Sequence, residues 1–142
     1  MRRALPVLVL LTSCATPQHD SGDYLGAARK TSAAVASAVS TAVLGAAQHD
    51  RATGAYLTVL VESAEKDALK EQSKFDALQP PDGPQDDRVR TALDGLMGDA
   101  LSGLGRMRIA CHRDDLGALP QIADELRPTL IGLRDLADRL PS

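Results

Sequence analysis

The sequence predicts an all-α fold, an up-down-up-down four-helix bundle, and three observations predict it. Four long segments each carry apolar residues at alternating spacings of three and four, the period of one face of a helix. Short breaks rich in Pro, Gly, Asp and His separate them, and short connections set successive helices antiparallel. No stretch makes a convincing strand, and no repeat of the length used by solenoids appears. The expected organisation is a cleaved signal peptide over 1–13, a modified cysteine and flexible tether over 14–22, and the bundle over 23–140.

The chain opens with Arg2 and Arg3, followed by an apolar run from Ala4 to Leu11. That run is too short to cross a hydrocarbon core of about 30 Å as a helix. A positive start, a short apolar run and then small residues make the pattern of a cleavable export signal. Leu11-Thr12-Ser13-Cys14 resembles the lipobox of bacterial lipoproteins: an aliphatic residue, two small residues and a cysteine. The resemblance implies a diacylglyceryl group on the Cys14 thiol, cleavage between Ser13 and Cys14, and often acylation of the new amine. Cys14 would then hold the chain on the extracytoplasmic face of the cell membrane, with two or three acyl chains giving the stable attachment that one does not. The plainer alternative is cleavage at another small-residue site, or none, with Cys14 incidental. The twin-arginine export route fits the flanking residues poorly. Residues 15–22 are polar, without periodicity, and read as the tether.

The first helix places Leu25, Ala28, Ser32, Val35, Val39, Ala42 and Ala46 on one stripe, with Asp23 or Ser21 as cap and an end near 48. Arg29, Lys30, Ser37, Ser40 and Gln48 fall off the stripe, and its small residues favour close approach of a neighbour. Thr53 caps the second helix, whose stripe is Leu57, Val61, Ala64, Ala68, Glu71, Phe75 and Leu78. Glu71 is out of place there. A carboxylate facing a core is costly unless paired, so a small rotation toward Lys74, turning Gln72 or Ala68 inward, is expected. Glu62 with Lys66 and Asp67 with Lys70 mark a solvated face. Pro80-Pro81 end this helix, and 79–87 read as a stiff loop.

The third helix aligns Val89, Leu93, Met97, Ala100, Leu104, Met107 and Cys111. Its glycines at 95, 98, 103 and 105 weaken helix propensity by about 1 kcal/mol each, but seven apolar positions in register outweigh them. Asp114 or Asp115 is the expected cap of the fourth helix, lined by Leu119, Ile122, Leu126, Leu130, Leu133, Ala137 and Leu140. Pro128 removes the bond to the Asp124 carbonyl and predicts a kink. Fusion of the first two helices across 47–53, giving three helices, is the competing topology.

Without residues 1–13 the chain keeps 129 residues, one domain in size, and its charge becomes −5, from 14 basic and 19 acidic residues. One Phe, two Tyr and no Trp leave little for base or sugar stacking. An acidic chain also lacks the field that binds phosphates, so no nucleic-acid partner is expected. With Cys14 acylated, Cys111 has no partner for an internal disulfide. The Ala-, Gly-, Arg- and Asp-rich composition resembles that of small actinobacterial lipoproteins.

Alternate loops of such a bundle lie at one end. His49 and Asp50 should therefore share a pole with Cys111, His112, Asp114 and Asp115, while the tether, the 80–84 loop and the C-terminus share the other. Imidazole, thiolate and carboxylate are ligands for zinc or copper, and His49, Asp50, Cys111 and His112 are the metal candidates. Capping and core packing explain the same residues more simply. Met97 and Met107 lack a histidine at a matching inner position for haem, and Cys111-His112 lacks the Cys-x-x-Cys-His attachment pattern. Ser63-Ala-Glu-Lys66 matches Ser-x-x-Lys in isolation, on a charged helix face. No catalytic residues are assigned, and an enzyme is not expected. No cofactor is expected beyond the covalent lipid. The sequence thus points to an anchored helical module that meets an unidentified protein or cell-envelope partner, with a metal-binding lipoprotein as the alternative.

Overall fold

A computed structural model describes residues 20–142. The leader 1–13, Cys14 with its lipobox, and tether residues 15–19 lie outside the described residues. The described chain folds as α1 (Ser21–Ala46), α2 (Gly54–Asp76), α3 (Pro84–His112), a 3₁₀ turn (Leu116–Ala118) and α4 (Leu119–Arg139), with no strand among the described residues. Successive helices pack on one another, α4 closes the ring against α1, and α1 also meets α3 across the middle. The first two helices are separate, joined by a turn in which Arg51 and Ala52 donate their N–H groups to the Gln48 carbonyl.

The two poles follow from this connectivity. Ser21, in the first turn of α1, donates to Asp86, in the first turn of α3, at 2.6 Å. Pro141 and Ser142 line one shallow cavity with Gly22 and Leu78, which brings the C-terminus to the same pole. We call this the entry pole. At the far pole, a Cβ on Gly54 would lie 3.6 Å from both Asp114 Oδ1 and Leu116 Cδ1, so the α1–α2 and α3–α4 connections meet there.

The helix caps differ from expectation in instructive ways. Asp20, not Asp23 or Ser21, caps α1 by accepting from the Asp23 N–H at 2.9 Å, so two residues assigned to the tether belong to the helix. Thr53 caps α2 as expected, accepting from the Tyr56 N–H at 3.3 Å. Helix α3 begins at Pro84, inside the expected loop, because proline is favoured in a first turn where its missing N–H costs nothing. Neither Asp114 nor Asp115 caps α4 by its side chain; the 3₁₀ turn leads into it, and Pro120 stands in its first turn. Helix α4 runs through Pro128, whose exposed ring faces outward.

The stripes mostly go inward. Leu57, Val61, Ala64, Ala68 and Phe75 of α2 are buried, and so are Leu93, Met97, Ala100, Leu104, Met107 and Cys111 of α3. Glu71 rotates out to pair with Lys74 at 2.6 Å. Helix α1 buries a wider arc than one stripe, including Tyr24, Thr31, Ala36, Ala38 and Val43, because it packs extensively on both α2 and α4 and also meets α3.

Glycines divide into two kinds. A Cβ on Gly103 would sit 2.6 Å from Cγ and 2.9 Å from Cδ1 of Leu126, a fully buried side chain of α4. Nothing lies within 4 Å of a Cβ on Gly95 or Gly98. We therefore expect Gly103→Ala to destabilise the bundle by about 1–3 kcal/mol through overpacking. Gly95→Ala and Gly98→Ala should each stabilise it by about 0.5–1 kcal/mol through helix propensity. Urea titrations of the three variants decide the matter, and the same sign for all three would refute the distinction.

Candidate functional site: the far pole and the α1–α2 face

The far pole is built by how α3 ends. Asp114 adopts φ 58°, the left-handed region that glycine usually fills and that aspartate tolerates. Its N–H bonds the Cys111 carbonyl at 3.1 Å and the Asp115 N–H bonds the Ala110 carbonyl at 2.9 Å. That pair of bonds is a Schellman closure of the helix. Asp114 thus terminates α3, whereas its side chain had been expected to start α4.

The four metal candidates do share this pole but are engaged separately. His49 Nδ1 lies 3.1 Å from the Ala46 carbonyl oxygen, over the end of its own helix. Asp50 is exposed in the turn. His112 points across to α2, with Nε2 2.7 Å from Glu62 Oε1. Glu62 therefore serves an interhelical contact, where the sequence suggested Lys66. Cys111 is buried on the inner face of α3. Burial pushes its thiol above the usual range, with the Thr58 hydroxyl pulling the other way and the Glu62 charge adding to the rise. Among the described residues no group of three or more His, Cys, Asp or Glu side chains is placed to hold a metal ion.

Two further interhelical ion pairs line the outer surface. Arg108 reaches Glu65 at 2.6 Å, tying α3 to α2, and Arg106 reaches Glu125 at 2.5 Å, tying α3 to α4. The Arg106 guanidinium, with a second hydrogen bond from Gln121, holds the exposed Glu125 carboxyl below the usual range. In exposed positions such pairs are worth little, about 0–1 kcal/mol each, so they orient the helices more than they stabilise them.

The less expected feature is apolar. Leu44, Tyr56 and Val59 are 66%, 58% and 66% exposed. Leu44 lies in the last turns of α1, and Tyr56 and Val59 in the first turns of α2, so all three lie toward the far pole. Beside them a cleft of about 280 Å³ opens between the helices, lined by Ala38 and Thr41 of α1 and by Tyr56, Val59, Leu60 and Ser63 of α2. It continues toward the entry pole as a more polar groove past Ser37, Asp67 and Lys70. A second groove, of about 420 Å³, runs between α1 and α4, where Arg134 donates to Ser40 Oγ at 3.3 Å. The apolar cluster escaped the stripe reading because its members lie off the stripes. The signal was present: large apolar residues at outward positions of two consecutive helices.

No family model, curated protein or solved structure matches this chain. Fold and surface therefore carry the functional reading.

Two measurements check the far pole. Asp114→Gly should stabilise the bundle by up to about 1 kcal/mol, since glycine adopts the left-handed conformation without strain; a loss of stability would show that the Asp114 side chain contributes more than its backbone. The second concerns alkaline pH. Cys111 and Tyr24 both have folded-state pKa values raised by burial above 9.0 and 10.0, their ordinary values. Their neutral forms contribute stability that is fully present below those ordinary values and is lost as pH climbs through the higher folded ones. The melting temperature should show no loss attributable to these groups between pH 7 and 8.5. It should fall above about pH 9–10, and Cys111→Ala together with Tyr24→Phe should flatten that fall.

Proposed function

We propose that this chain is a lipid-anchored, extracytoplasmic helical interaction module. The observation that carries the reading is the polarity of the fold taken with the Leu11-Thr12-Ser13-Cys14 pattern. Asp20, the cap of α1, stands only six positions after Cys14. That length spans at most about 20 Å. An acylated Cys14 would hold the entry pole close to the bilayer. Leu44 stands 23 residues beyond the start of α1, about 35 Å along it at 1.5 Å per residue. The exposed apolar cluster would then face the cell envelope well clear of the membrane surface.

Exposed apolar side chains gathered in one place mark contact surfaces on folded proteins. None of the described helices is long and apolar enough to cross a membrane, so attachment on this reading falls to the lipid. The binding role belongs to a helical face and needs no reacting group. A protein or cell-envelope component is the partner class that a flat helical surface suits.

Cys14→Ala tests the anchoring. The variant should leave the membrane fraction for the soluble one, and its leader should no longer be processed in the globomycin-sensitive manner that lipidated precursors show. A variant that stays in the membrane fraction, washed with carbonate, would overturn the lipid anchor.

A further inference from the structure

We draw no further inference here: the strongest candidate, the apolar cleft between α1 and α2 beside Tyr56 and Val59, is an unpartnered face, and nothing in the structure shows what covers it.

Discussion

Everything in this bundle depends on how closely other helices can approach α1. It packs against all three others, as α3 also does, and it does so with small side chains. Ala28, Ser32, Val39 and Ala42 are completely buried, and Val35 nearly so. Ser32 would be a cost at such a position, but its hydroxyl donates to the Ala28 carbonyl at 2.8 Å and needs no outside partner. A core built on alanine gains little from the transfer of each side chain. It depends on the many weak contacts that form when backbones come near, so the facing helices must supply the volume. Leu57, Leu93, Met97, Leu104, Met107, Leu119, Leu126 and Leu133 do so, all fully buried. Large residues stand opposite glycines at the α1–α2 and α3–α4 seams. Leu60 of α2 fills the space over Gly45, Leu126 of α4 that over Gly103, and Leu96 of α3 that over Gly132.

The same closeness explains the entry pole, where the packing includes polar groups. Tyr24 is fully buried against Phe75, the ring centroids 5.2 Å apart and tilted by 38°. Asp86 is buried too, and it accepts from Ser21 across the α1–α3 contact. Burial of a carboxylate with one strong hydrogen bond is unfavourable compared with an apolar residue of the same shape. What it supplies is placement, since only one register of α1 against α3 brings Ser21 to Asp86. The first turn of α1 is thereby fixed to the first turn of α3, directly after the short segment that leads from Cys14.

How much of this was legible follows from where each residue sits. Helix periods survive averaging over many turns, so four helices and most of the inner stripes could be read from Leu57 to Leu140. Thr53 was legible as a cap because its context is local. Asp20 was not, because a polar tether and a capping residue share a composition, and Pro84 was hidden in a run of prolines that reads as loop. Asp114 illustrates the harder case. Aspartate starts helices and also tolerates φ above zero, and only the path of the chain decides which property is used. Of the candidate site, the gathering of His49, Asp50, Cys111 and His112 at one pole was legible from topology. Their separate engagement was not, because it turns on side-chain direction: His112 leans out to Glu62 while Cys111, one residue earlier, points in. The Ser21–Asp86 contact joins residues 65 apart in sequence and has no local signature.

Topology and surface come from one feature, the antiparallel hairpin of α1 and α2. A hairpin of two helices with a tight turn forces their outward faces into a common plane. Off-stripe residues of both, unremarkable along either helix, then add up to one surface. In α1 those residues are Ala34, Ser37, Thr41 and Leu44, and in α2 they are Tyr56, Val59, Ser63, Asp67 and Lys70. Read by helix, each row is mostly small or polar. Read by height, the rows grade together from charged near the entry pole to apolar near the far pole. On the anchoring proposed above, that gradient would set charged side chains nearer the membrane and apolar ones farther from it.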